Sequence, residues 1–133
     1  MHDGKLYAPS IGAAPEPPVK FNVNVQALVH VVNPTALAEI KNNTVNLNAQ
    51  IKLEAAPSDP TASLGKLFGN DVVAVDAKAN KFAFVSRGGN FVLRAGLTGG
   101  KLDIGAPSNV VRLQTGHIPT GIVMSADGTR AFY

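Results

Sequence analysis

The stretch Gly121-Ile-Val-Met-Ser-Ala-Asp-Gly-Thr-Arg-Ala-Phe-Tyr133 decides the fold, because much of it occurs twice. Laid over Val73-Ala-Val-Asp-Ala-Lys-Ala-Asn-Lys-Phe-Ala-Phe84, it reads as an apolar strand, a polar turn, a basic residue and a second apolar-aromatic strand. Arg130 then falls on Lys81, 49 positions earlier. A third partial copy, Asp3-Gly4-Lys5-Leu6-Tyr7, opens the chain. Between these anchors the rest of the unit recurs more loosely. Leu28-Val29-His30-Val31-Val32-Asn33-Pro34 resembles Asn90-Phe91-Val92-Leu93-Arg94-Ala95, and Thr44-Val45-Asn46-Leu47-Asn48 resembles Val110-Val111-Arg112-Leu113-Gln114.

Four short antiparallel strands per unit, repeating at roughly 40 to 50 residues, predict an all-β chain built from propeller-type blades. The expected architecture is a β-propeller fragment of about two four-stranded blades over residues 1–133, with almost no helix outside residues 60 to 68. A tight hairpin is expected at Asp127-Gly128, joining Gly121–Ser125 to Arg130–Tyr133. The pattern Pro119-Thr-Gly-Ile-Val-Met-Ser-Ala-Asp-Gly-Thr-Arg-Ala-Phe-Tyr133 resembles the YVTN-type seven-bladed β-propeller repeat. The Asp71 to Arg94 stretch departs from that pattern at its turn, where Lys78 and Ala79 replace Asp-Gly. Lys5-Leu-Tyr-Ala-Pro-Ser10 and Phe21-Asn-Val-Asn-Val-Gln-Ala-Leu-Val29 resemble secreted bacterial propellers joined to cytochrome c peroxidase-like domains.

The resemblance implies a non-catalytic segment that scaffolds or binds within a larger propeller. A second implication is the propeller portion of a secreted haem-containing oxidoreductase, which a downstream Cys-x-x-Cys-His motif would distinguish. Either implies a periplasmic or secreted bacterial protein. The expected partners are other propeller blades, from the rest of a parent chain or from copies of this one. The opening Met1-His-Asp-Gly is no signal peptide and suggests a piece of something longer.

Composition agrees with a β-rich module: 45% of residues are hydrophobic, 16% charged, and 13 glycines with 9 prolines suit many short connections. No apolar run approaches the ~18 residues of a membrane span. The absence of cysteine excludes disulfides, thiolate metal sites and covalent c-type haem in this segment, so no cofactor is expected here. A net charge of +3 comes from scattered Lys and Arg, which argues against a nucleic-acid groove.

Two stretches interrupt the repeat. Pro9 to Lys20, with four prolines, is expected to be an extended connector. Ala49 to Gly69 reads as an insertion, with a helical turn over Pro60–Phe68 acting as a lid or as a contact loop.

No catalytic or metal-binding constellation is legible. His2 falls in an end expected to fray, and His30 alternates with Val29 and Val31 as a strand histidine near solvent or another blade. His117, in the loop Thr115-Gly-His-Ile-Pro-Thr-Gly121, is the best-placed histidine for binding, because such loops line a propeller's channel. Asp71, aligned with Thr120 just before an innermost strand, could face the same channel. Arg87, in Arg87-Gly88-Gly89, reads as a turn residue between two strands. These three are the candidate binding residues. With only two blades present, Val31, Phe82, Phe84, Phe91 and Leu93 are expected to stay partly uncovered.

Overall fold

The computed structural model describes residues 1–20, 22–51, 68–104 and 112–133, and they form an all-β structure of antiparallel sheets. The first sheet contains β1 (Leu6–Ala13), β2 (Val25–Asn33), β3 (Ala38–Glu39) and β4 (Val45–Asn46) in the order β1-β2-β3, with β4 also on β2. The second contains β5 (Val72–Lys78), β6 (Lys81–Ser86), β7 (Phe91–Thr98), β8 (Lys101–Asp103) and β9 (Arg112–Gln114), in the order β5-β6-β7-β8 with β9 on β7. A separate hairpin pairs β10 (Val123–Met124) with β11 (Ala131–Phe132). No helix among the described residues is long and apolar enough to cross a membrane.

The sequence repeat is a repeat of pairing. Leu6, Ala8 and Ser10 face Val32, His30 and Leu28, while Phe82, Phe84 and Ser86 face Ala95, Leu93 and Phe91. β1 therefore matches β6 and β2 matches β7. Leu28 is equivalent to Phe91, one residue beyond the match read from sequence. In a strand that step exchanges the two faces, so only the ladder sets the correct equivalence.

β6 shows how the layers stack. Phe82 and Phe84 belong to a core shared with Tyr7, Ala27, Val29 and Val31 of the first sheet. Ala83 and Val85, pointing the other way, pack with Val92 and with Met124 of the hairpin. Val31, Phe82, Phe84, Phe91 and Leu93 are all at most 2% exposed, so the expectation that they stay uncovered is overturned. Face-to-face packing of the two sheets closes over them within one chain.

Three further expectations are corrected. Pro9 lies inside β1 rather than in a connector that begins there. Ala14 N donates to Asn24 O, so alternation turns the even-numbered N–H groups of β1 toward β2. Pro9, lacking an N–H, faces the edge that pairs with no described strand, where proline is tolerated. The strand expected over Thr44–Asn48 is only Val45–Asn46 and passes into α1 (Leu47–Ile51), which with a 3-10 turn at Lys41–Asn43 is the little helix seen among the described residues. Asn46 Oδ1 accepts from Ala49 N at 3.1 Å and ends β4 after two residues, while Leu47 and Ile51 enter the core. Finally, His2 is not frayed: its Nε2 lies 2.7 Å from Asn80 Oδ1 and its ring packs edge-on to Phe82. The inserted stretch Ala49–Gly69 lies largely outside the described residues, as do most of Pro60–Phe68 and the Val110–Val111 part of the repeat.

One end of the stack is built of tight turns. Asp3-Gly4, Ala79-Asn80 and Gly128 take positive φ at the three equivalent places. The turns also touch in series, His2 reaching Asn80 and Lys81 Nζ donating to Gly128 O at 3.2 Å. The expected hairpin at Asp127-Gly128 is present, with Gly128 N donating to Ser125 O and Ser125 N to Arg130 O. Gly128 has φ +66°, and a Cβ there would stand 2.9 Å from Lys78 O. Gly128→Val is expected to destabilise the fold by about 1–3 kcal/mol, read as a lowered denaturation midpoint.

Asp127 Oδ1 accepts from Ser125 Oγ, Thr129 N and Thr129 Oγ1, which lowers its pKa from 3.8 to about 2. The carboxylate is favoured in the folded hairpin. Its stabilisation is therefore present above the unfolded value and lost as pH falls from about 4 through about 2. Asp127→Asn is expected to flatten that part of an acid-unfolding curve.

Candidate functional site

The opposite end of the second sheet carries the candidate residues. Asp71 immediately precedes β5, Arg87 follows β6, Asn90 precedes β7, and the 115–118 loop follows β9. Antiparallel pairing brings all four to one edge of the stack, because Val72 faces Ser86, Ser86 faces Phe91, and Phe91 faces Gln114. The structure thus assembles Asp71 and Arg87 directly and places the His117 loop at the same end.

Arg87 Nε donates to Asp71 Oδ2 at 2.6 Å, and Arg87 N donates to Asp71 O at 3.0 Å. The hydrogen bond and charge of Asp71 raise the guanidinium pKa above its ordinary value. The Asp71 carboxylate is thus engaged by Arg87. Both side chains are substantially exposed, 44% for Arg87 and 30% for Asp71, so water screens the pair. Below it, Ser86 Oγ donates to Asn70 O at 2.7 Å and accepts from Asn70 N at 3.1 Å. Ser86 is buried, so this clamp ties the entry of β5 to the exit of β6.

Asn90 was missed in the sequence, yet it organises the loop. Its backbone O accepts from Thr115 N at 3.0 Å and its Oδ1 accepts from Ile118 N at 2.9 Å. Asn90 has φ 54°, a conformation asparagine tolerates better than most residues. A lone asparagine after Gly-Gly was the only available signal. Ile118 has φ 55°, which is strained for a β-branched residue, and its side chain is exposed. His117 beside it is exposed too.

Chemically, this end offers a screened ion pair, an anchored loop and an exposed imidazole: polar groups for contact. Among the described residues no three His, Asp or Glu side chains converge as metal ligands. A cleft of about 520 Å³ lies toward the other end, lined by Lys81, Arg94, Gly96 and Asp103 among others.

Arg87→Ala is expected to change stability little, because its ion pair is exposed and screened by water. Asn90→Ala should cost more, since it orphans the Ile118 donor and places alanine at positive φ. Chemical denaturation of the two variants side by side checks the order. No family model, curated protein or solved structure matches the chain.

Proposed function

We propose that the chain is a propeller-type segment that serves as a scaffold or binding module, using stacked blade-like units and the loops at one end. The observation that carries this reading is the two-sided burial of the second sheet. The first sheet covers the face of Phe82 and Phe84, and the hairpin covers the face of Ala83 and Val85. Stacking of successive four-stranded units about a common direction is the packing logic of a propeller.

Repeat equivalence extends the reading to partners. The sequence spacing of 49 places Phe132 on Ala83, and the ladder then places its partner Val123 on Asp76, the partner of Ala83. Ala83 packs beneath the hairpin and Asp76 accepts from Met124 N there, whereas Val123 and Phe132 are 57% and 58% exposed. The outward face of the hairpin is thus apolar at positions that the preceding unit buries, and it suits a further unit of the same kind. Binding chemistry falls to the loop end, where Asp71, Arg87 and the His117 loop lie.

Light scattering on the 133-residue chain tests the proposal. The expected result is species heavier than 13.8 kDa that shift toward the monomer in Phe132→Asp. A well-folded, monodisperse monomer whose properties are indifferent to that substitution would defeat it.

A further inference from the structure

The outer face of the first sheet carries side chains that the repeat does not call for. On the equivalent face of the second sheet, Phe82, Phe84, Ser86, Phe91, Leu93 and Ala95 are all buried. The first sheet has Leu6, Ala8, Ser10, Leu28, His30 and Val32 at those places. Ser10 matches Ser86, but His30 stands where the second sheet has Leu93, and Ala8 where it has Phe84. A histidine at this place is therefore no requirement of the unit, and the loss of a phenyl ring leaves room beside it.

His30 joins two partners. Its Nε2 lies 2.9 Å from Ser10 Oγ, and its Nδ1 lies 2.8 Å from Glu39 Oε1. Glu39 Oε1 also accepts from Thr44 Oγ1 at 2.6 Å. Hydrogen bonds from His30 and Thr44 lower the Glu39 pKa, so the group is a carboxylate at neutral pH. A carboxylate only accepts, so the proton of the neutral imidazole belongs on Nδ1. Nε2 is then left to accept from the Ser10 hydroxyl. That is the connectivity, tautomer and spacing of a nucleophile, its general base and an orienting carboxylate.

The surroundings suit such a role. Ala8 and Gly12 lie two residues either side of Ser10 on the same face, with the Leu28 and Gln26 side chains packed over Gly12. Alternation along β1 turns the Ile11 N–H toward the edge that pairs with no described strand, next to Ser10. A donor from the residue after the nucleophile is one of those that hold an oxyanion in other hydrolases. His30 and Glu39 side chains are each 35% exposed, so water and small solutes reach the site.

We propose that Ser10, His30 and Glu39 form a nucleophilic site on the outer face of the first sheet, able to cleave small carboxylic esters. Ser10 Oγ attacks the acyl carbon while its proton passes to His30 Nε2. The tetrahedral oxyanion, held by the Ile11 N–H, collapses and breaks the bond to the alcohol, which leaves with the proton from Nε2. Water, deprotonated by the same nitrogen, then hydrolyses the acyl ester on Oγ, and the proton returns to Ser10. Glu39 is a positioning residue that holds the tautomer and steadies the imidazolium.

The 133-residue chain treated with a fluorophosphonate and read by intact mass and peptide mapping tests this directly. One phosphonyl adduct per chain is expected, on Ser10, and it is absent in Ser10→Ala. His30→Ala should slow labelling by about a hundredfold, the usual contribution of a general base, with partial rescue by added imidazole. Glu39→Gln, which releases the tautomer, should slow labelling of a chain whose circular dichroism is unchanged. A folded wild-type chain whose Ser10 stays unmodified overturns the proposal. So does labelling that is equally fast in a folded His30→Ala chain. Repeating the labelling on the Phe132→Asp chain, in which stacking on the hairpin is disfavoured, keeps the outcome separate from the light-scattering test.

Discussion

Burial of β6 on both faces is the constraint from which the rest of the structure follows. Along Phe82-Ala83-Phe84-Val85, each successive side chain enters a different core. A strand with two apolar faces must have a layer on each side, since either face left in water forfeits roughly 1.5–3 kcal/mol per large side chain. The first sheet supplies one layer and the β10–β11 hairpin the other. The large residues all point one way. Phe82 and Phe84 fill the wide gap to the first sheet, where Tyr7 meets Phe82 edge-on at 4.7 Å. The small Ala83 lets the hairpin approach on the other side. The asymmetry of the strand sets the direction in which units succeed one another.

The two ends of the stack also differ in their connections. Where the turns meet, neighbouring units are tied through Asn80, Lys81 and Gly128, and Asp76 Oδ2 accepts from Met124 N at 2.7 Å to hold the hairpin in place. Two hydrogen bonds from backbone N–H groups lower the Asp76 pKa despite the opposing effect of its burial. At the other end the strands open into longer connections. There polar side chains such as Asn90 and Ser86, rather than ladders, satisfy the backbone, which leaves Arg87 and His117 facing solvent. The outer face of the first sheet adds a different resource, because its polar trio is satisfied internally and still reached by water.

Strand alternation and the Asp-Gly turn were legible in the sequence, because periodicity and turn chemistry are local properties of the chain. They establish an all-β structure and the hairpin at Asp127-Gly128. Register and coverage were decided only by the tertiary structure. The one-residue offset of Leu28 and Phe91 depends on which ladder hydrogen bonds form. Full burial of Val31 and Phe84 depends on how closely two sheets pack. Pro9 sits in a strand because its missing donor meets an unpaired edge. Ser10, His30 and Glu39 lie 20 and 9 positions apart, on three strands. No local pattern links them: they meet only because β1 and β3 flank β2 in a register that hydrogen bonding across the sheet imposes.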